Sequence, residues 1–527
     1  MSGVPDEVRD EVLCVMDPDA SRRQAYREGR WDGLHKLYTD DRYPAGLTLQ
    51  LHRRLEATPG ITDITVRNEN VPMGSDHLHA DYLPKSVAPD GLWDWQLEGC
   101  SAMLNSPCGA VKVPTSGGKT LMEAAIARYA FEHAGLKTLV MTSKRGILDQ
   151  MVRVLTEAVG DIMTVGQMGD GCKTVGDVTV GTAQTLIGYQ PTTRRAKIPG
   201  TNKRRRTFIQ GDPVIRELLR SVGVLMLDEA HHTSAVTWYE TAMYCTAPYR
   251  FGLSGTPLKF DDYADARMIG ATGPVIYEID ADVLIAAGKS ARPRIVIVTS
   301  DAASSPEMQH NEFGRFVRGK LRPGKKWPPY KEAYRYAIVD SVPHNQAVIR
   351  AATWMVDRKR RTLILARQKD QWRLLRDMLE ASGLNYAALW GDTETSVRRQ
   401  AKEAMDEKKL QVILATVIFD EGEDVPGIDA MVLAEGVRSN TNAVQRIGRG
   451  MRREKRGYED VWIVDFAPTS HPVCLEHGSD RFTSYVDEGY HTMVWDQWPS
   501  EDEEAAGALL LPFEQWDKCY EDAEGGE

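Results

Sequence analysis

Short apolar runs alternate with helical stretches along most of the chain. Residues 110–113, 138–142, 178–181 and 222–227 are nearly continuous apolar runs bounded by turns. Runs of this kind suit strands buried on both faces of a parallel sheet. A helical pattern over residues 121–130 follows the first run and ends near Gly135. A second series repeats the alternation. Residues 362–366, 411–415, 430–434 and 461–464 read as buried strands, with helices over 369–382 and 396–407 between them. Strand–helix alternation on this scale predicts an α/β fold with two doubly wound parallel-sheet domains in tandem.

The flanks read differently. Residues 48–56 carry an amphipathic helical pattern, and 61–67 alternate like a strand after the Thr58-Pro59-Gly60 turn. The pattern predicts a small α+β domain over residues 1–85, with Trp31 as a core anchor. The first α/β domain then covers 86–290. Residues 291–330 hold five prolines between 293 and 329 and six basic side chains between 315 and 326, and read as an inter-domain region. The second α/β domain covers 331–470, and 471–527 form a C-terminal extension with an acidic end. Inside the first domain, residues 192–212 interrupt the alternation with Arg194, Arg195, Arg204, Arg205 and Arg206 among Pro, Gly and Thr. That composition predicts a loop, either a solvated one or an arm that contacts phosphates.

Composition narrows the class only slightly. Lys and Arg total 65 against 75 Asp and Glu, a net charge of −10. Net charge therefore does not advertise a polyanionic partner, although its distribution leaves local basic runs. The seven cysteines are dispersed without a Cys-x-x-Cys pair, as expected for reduced intracellular thiols. No apolar run reaches membrane length, so no membrane partner is expected, and the chain reads as soluble and cytoplasmic. His471, Cys474 and His477 lack a fourth ligand nearby and make a weak zinc site.

Candidate chemistry sits at the ends of the apolar runs. Residues 113–120, Val-Pro-Thr-Ser-Gly-Gly-Lys-Thr, join a strand to a helix. The backbone N–H groups of such a turn, Thr115, Ser116, Gly117 and Gly118 among them, cradle phosphates at the helix N-terminus. Lys119 would reach the β- and γ-phosphates, and Thr120 would hold Mg²⁺. The fit to the general pattern is incomplete, because Val113 stands where it has glycine. Gln96 lies some two dozen residues upstream, and its amide suits either an adenine edge or plain solvent. Asp228-Glu229-Ala230-His231 follows the apolar run at 222–227. A carboxylate at the carboxyl end of a buried strand lies where α/β sheets bind ligands. Asp228 suits the metal and Glu229 the activation of water. Gln445–Arg453 packs four arginines into one short segment, either a solvated basic face or a cationic stabiliser of a transferred phosphoryl group.

In order and spacing these segments resemble the motifs of superfamily 2 helicases, with two RecA-like domains. Gln96 resembles their Q-type motif, 116–120 motif I (Walker A), and Asp228–His231 the DEAH form of motif II. Ser254-Gly255-Thr256 resembles motif III, Thr416 through Pro426 motif V, and 445–452 motif VI. The resemblance covers about residues 88–470. Gly29-Arg30-Trp31-Asp32-Gly33 with Pro44, Gly46 and Leu47 resembles the small N-terminal domain of UvsW-type phage recombination helicases and their XPB-like relatives.

The resemblance implies an ATP-dependent DNA helicase or translocase with ATP and Mg²⁺. Glu229, Gln445, Arg449 and Arg452 would be catalytic, and Gly422 and Asp424 would contact nucleotide. His231, Ser254 and Thr256 would couple hydrolysis to movement. Ser143, Lys144, Arg145, Thr182, Gln184, Arg367 and Thr416 would contact nucleic acid. It implies branched, forked or duplex DNA as partner, with RNA or an RNA–DNA hybrid as the alternative, together with replication or recombination proteins. For a phage protein the compartment would be the bacterial host's cytoplasm. A restriction or defence motor and an ATP-gated nucleic-acid clamp are the other functional classes compatible with these features.

Overall fold

The computed structural model describes residues 4–17, 20, 24–28, 30–38, 42–61, 63–66, 73, 87–88, 91–114, 116–143, 145–197, 204–258, 262–298, 334–416, 428–436, 460–468, 472–487 and 490–495. The chain divides into two units, Met1–Ile279 and Asp280–Glu527.

Strands β1 (Cys14–Met16) and β2 (Leu34–Lys36) form an antiparallel pair at the start of the first unit. The helix Thr48–Glu56 forms over the residues its amphipathic pattern marks. No strand forms at 61–66 among the described residues, contrary to the alternating pattern. Ile61 and Ile64 instead pack on Val8, Leu51 and Leu55. Alternation describes one buried face, and a helix surface accepts it as well as a sheet does.

The main sheet of this unit has eight strands. They are β3 (Cys108–Lys112), β4 (Thr138–Thr142), β5 (Val165–Gly169), β6 (Cys172–Thr174), β7 (Val178–Thr182), β10 (Val224–Asp228), β11 (Tyr249–Ser254) and β12 (Val275–Glu278). Their spatial order is β12-β3-β11-β10-β4-β7-β5-β6. All neighbours are parallel except the edge pair β5–β6. Every residue of β4, β7 and β10 is buried, as their uninterrupted apolar runs require.

The 192–212 segment is not a loop. Strands β8 (Thr192–Lys197) and β9 (Arg204–Ile209) make an antiparallel hairpin, with Arg195 opposite Arg206 and Lys197 opposite Arg204. Charge and turn-forming residues hid the ladder, because β-propensity is low for such a composition.

The second unit carries a seven-stranded, wholly parallel sheet. Its strands are β13 (Arg292–Val298), β14 (Thr362–Ala366), β15 (Tyr386–Leu389), β16 (Val412–Thr416), β17 (Ala430–Leu433), β18 (Asp460–Phe466) and β19 (His491–Trp495). The order is β15-β16-β14-β17-β18-β13-β19, so two boundaries move. The supposed inter-domain region contributes β13 to the sheet interior. The supposed C-terminal extension contributes the helix Pro472–Asp487 and the edge strand β19. Trp495 is buried in the core beneath that edge. A buried pair ties the helix Pro472–Asp487 down: Arg481 Nε donates to Asp465 Oδ2 at 2.6 Å, and Tyr485 Oη donates to the same oxygen at 3.0 Å.

The small N-terminal domain is not a detached module. Leu13, Leu37 and Leu47 pack on Tyr263, Ala266 and Ile269 of the helix Asp262–Thr272. Gly46 lies flush against that helix, and a Cβ there would stand 1.8 Å from the Ile269 carbonyl oxygen. Gly46→Ala is therefore expected to destabilise this seat by about 1–3 kcal/mol, the usual cost of overpacking. Thermal unfolding with limited proteolysis checks it. A variant as stable and as protease-resistant as the wild type would show that the backbone contact is dispensable.

Candidate nucleotide-hydrolysis site

The loop 113–118 leaves the carboxyl end of β3 and enters the helix Lys119–Ala134. Two of its described residues take left-handed backbone angles, Ser116 at φ 85° and Gly118 at φ 78°. For serine this conformation costs about 1–3 kcal/mol and persists only where neighbours enforce it. The enforcement comes from the helix Asp94–Leu104. Gln96 is buried, and its Nε2 donates to the carbonyls of Gly117 and Gly118, both at 3.2 Å. Trp95 Nε1 also donates to Gly117 O, at 3.3 Å. Gln96 Oε1 accepts from the Trp93 N–H at 2.9 Å. The Gln96 amide is thus engaged with the loop and its own helix start, and it is not a surface glutamine. Only glycine fits at 118, since a Cβ there would come within 2.1 Å of Gln96 Nε2.

Asp228 ends β10, and Glu229 follows with φ 55° and ψ 53°, a second strained residue. A 3₁₀ turn, Ala230–Ser234, comes next. Lys119 Nζ lies 3.7 Å from Glu229 Oε1 and 3.5 Å from Val113 O. The lysine expected to bind nucleotide and the carboxylate expected to activate water therefore face each other. His231 Nδ1 is hydrogen-bonded to Ser254 Oγ at 3.0 Å and lies 3.5 Å from Glu229 Oε2. Ser254 Oγ also accepts from the Thr256 N–H at 3.1 Å. The structure so joins the three residues expected to couple hydrolysis to movement. The Val113 N–H donates to Ser254 O at 2.9 Å and closes the ring.

A glycine-rich loop, a lysine, a threonine at the helix start and a carboxylate at the facing strand end form a donor set that fits a nucleotide triphosphate and its magnesium ion. Thr120 is half-buried and Asp228 buried. Glu123, one helical turn beyond Lys119, went unrecognised in the sequence. It is fully buried, and neither carboxyl oxygen has a hydrogen-bond partner. Burial pushes its carboxyl well above the usual carboxylate range; Asp228 and Glu229 add to the shift and Lys119 opposes it. An acidic residue in a helical pattern reads as solvated, so only packing reveals it.

The expected nucleic-acid contacts are placed less uniformly. Thr182 is buried at the end of β7, where its hydroxyl caps the short helix Ala183–Leu186. Gln184 in that helix is exposed, as is Arg367 after β14. Ser143 and Thr416 are buried at the carboxyl ends of β4 and β16. Arg145 begins the helix Arg145–Val159, and Arg204, Arg205 and Arg206 lie on β9, all described by backbone alone. Thr115, Lys144, Gly422, Asp424, Gln445, Arg449 and Arg452 lie outside the described residues. Among the described residues, no helix is long and apolar enough to cross a membrane, and no metal-binding cluster of His, Cys, Asp or Glu occurs.

Residues 94–259 match the family "Type III restriction enzyme, res subunit", and residues 344–454 match "Helicase conserved C-terminal domain". The chain is 22% identical to "ATP-dependent DNA helicase uvsW" of Enterobacteria phage T4, over 89% of this chain and 91% of that protein. It is 21% identical to "DNA 3'-5' translocase XPB2" of Sulfurisphaera tokodaii, over 71% and 82%. It is 24% identical to "Putative helicase 22" of Sulfolobus islandicus filamentous virus, over 46% of this chain and only 43% of that relative. Two RecA-like parallel-sheet units matched in this order define an ATP-hydrolysing motor of the helicase and translocase class. The chain is a superfamily 2 helicase resembling UvsW and the XPB-type helicases.

Glu123 gives this site a pH signature. Its proton stays on in the folded chain and leaves in the unfolded chain above the ordinary value of 4.5. The unfolded state then binds fewer protons, so stability falls as pH rises from there to the raised folded value. Without nucleotide, the stability of the wild type relative to Glu123→Gln should fall over that window, by at most about 1.4 kcal/mol per pH unit. Denaturant titrations of both proteins from pH 5 to 8 check it. A pH-independent difference would mean that Glu123 ionises in the fold as readily as in the unfolded chain.

Proposed function

We propose that the chain couples ATP hydrolysis to movement along branched or duplex DNA, in recombination, repair or fork remodelling. The observation that carries this is the ring from Val113 through Lys119, Glu229 and His231 to Ser254, built on the carboxyl ends of three neighbouring strands. Phosphoryl transfer to water needs positioning and charge stabilisation more than covalent chemistry. The loop residues 115–118 hold the phosphates, and Lys119 leaves Glu229 for the β- and γ-phosphates. Glu229, once released, orients the attacking water. Thr120 and Asp228 would hold a magnesium ion, which would supply neutralisation of phosphate charge. Gln445, Arg449 and Arg452 supply donors and planar cations for the charge that develops on the γ-phosphate. Gly422 and Asp424 contribute nucleotide contacts.

His231, Ser254 and Thr256 carry the change at Glu229 to β11. Ser143, Lys144, Arg145, Thr182, Gln184, Arg367 and Thr416 are proposed to meet the nucleic-acid backbone. The buried Thr182 would do so through the helix that it caps. UvsW and XPB2 carry DNA in their names, which supports DNA as the track. Replication or recombination proteins are the proposed partners. The match to a restriction subunit over 94–259 favours a second reading, the motor of a restriction system, which a co-purifying nuclease subunit would reveal.

The decisive test is steady-state ATPase across forked, four-way, duplex and single-stranded DNA and RNA. Lys119→Ala should weaken nucleotide binding. Glu229→Gln should bind nucleotide and not turn it over, and Arg452→Ala should lose turnover far more than affinity. Near wild-type hydrolysis by Glu229→Gln would remove it as the water-activating group, and stimulation by RNA alone would remove DNA as the track. The hairpin gives a separate test. Each phosphate contact releases counterions, so neutralising Arg204, Arg205 and Arg206 should flatten the salt dependence of DNA affinity by about 0.9 in log–log slope per lost contact. An unchanged slope would leave the hairpin without a phosphate-binding role.

A further inference from the structure

Glu229 must hold a strained backbone while its side chain points at Lys119. Part of the support is local. The His232 N–H donates to Glu229 O at 2.9 Å, and Thr233 Oγ1 donates to Ala230 O at 2.6 Å. Ser234 Oγ donates to His231 O at 3.3 Å. Further support from outside the turn, besides the His231–Ser254 bond, comes from Arg267 on the helix Asp262–Thr272. Its Nη1 donates to Ser234 O, the last carbonyl of the turn, at 2.9 Å. A cation is favourable at the carbonyl end of a helical turn.

Arg267 is itself gripped by aromatic rings. Its guanidinium lies 4.4 Å from the Tyr263 ring centroid and 5.1 Å from that of Tyr239. Among the described residues no carboxylate pairs with it, and its Nε is buried without an acceptor. The arrangement accepts that cost to keep one N–H on Ser234. The other face of the stack belongs to the N-terminal domain. The His35 ring stacks on Tyr263 at 4.0 Å and 14°, and Asp17 Oδ2 holds His35 Nε2 at 2.8 Å. One unbroken series therefore runs from Asp17 through His35, Tyr263, Arg267 and Ser234 to the turn that carries Glu229.

We propose that Arg267 is a positioning residue for ATP hydrolysis, which fixes the Glu229 turn by its bond to Ser234 O, and that the N-terminal domain sets the turnover rate by stacking His35 on Tyr263. The proposal rests on Glu229 as the water-activating group. It makes the N-terminal domain part of the catalytic support as well as a candidate recognition element. Neither Arg267 nor His35 touches the nucleotide loop, so their loss acts on turnover and leaves nucleotide binding in place.

The test compares wild type, Arg267→Met, Arg267→Lys, His35→Leu and Glu229→Gln in the full-length chain. The readouts are kcat, affinity for a fluorescent ADP analogue, thermal midpoint and hydrogen exchange of the 230–234 amides without nucleotide. Arg267→Met should lower kcat between roughly 2- and 30-fold, the range of measured couplings through packed networks. Its ADP affinity should stay within about twofold and its midpoint near wild type. Amides 230–234 should exchange faster while those of 113–118 do not change. Arg267→Lys keeps the charge and a donor and should recover part of the rate. His35→Leu should move kcat and exchange in the same direction by less.

Wild-type turnover and exchange in Arg267→Met would overturn the proposal. So would a parallel fall of kcat, affinity and thermal midpoint, with no recovery in Arg267→Lys. No effect of His35→Leu beside a clear effect of Arg267→Met would remove the N-terminal domain from the mechanism. Full turnover by Glu229→Gln would instead sink the underlying assignment, which separates the two failures.

Discussion

The grip of Gln96 on the peptide groups of Gly117 and Gly118 is the interaction on which the site depends. A loop with left-handed backbone at both Ser116 and Gly118 has no internal ladder to hold it. The buried amide supplies donors at two adjacent carbonyls, and Trp95 adds a third bond to one of them. Once the loop is held, the start of the next helix is fixed and Lys119 with it. Lys119 then meets Glu229, and Glu229 meets His231 and Ser254. Each step is a short contact between ends of adjacent strands, so an error at the loop would spread through all of them.

Strain and support are divided between different parts of the chain. Ser116 and Glu229 are the strained residues of the site, and neither is stabilised mainly by its own element. The helix before β3 braces the first, and the helix after β11 braces the second. That second brace carries the N-terminal domain on its outer side, which explains why the domain merges with the first unit instead of hanging from a linker. Arg250 shows the same economy elsewhere. It is half-buried and donates to the carbonyls of Ala242, Cys245 and Ala271, so one cation closes the ends of two helices.

Much of the fold was legible before the structure. Runs such as 138–142 and 362–366 are buried on both faces, so their apolar character is continuous and their boundaries are sharp. Strands β13 and β19 were missed because Arg292, Pro293 and Arg294 in one, and His491 and Thr492 in the other, dilute that signal. Lys119, Glu229 and His231, which the structure brings together, stood out in the sequence because their types and order suit the chemistry of phosphate transfer. Gln96 was found without its role, since an amide that reads a base and one that binds a loop look alike in sequence. Glu123 and Arg267 were invisible because their meaning lies in what packs against them. Arginine three residues from a glycine on an ordinary helix announces nothing until two tyrosines and a carbonyl surround it.

The basic hairpin has a physical consequence of its own. Its ladder sets Arg195 against Arg206 and Lys197 against Arg204 at successive rungs of one face. Like charges directly opposite each other across a strand pair repel, so the ribbon works against itself in dilute electrolyte. Added ions screen that repulsion and firm the ribbon, while the same ions weaken its pull on any polyanion. Folding and attraction therefore respond to ionic strength with opposite sign.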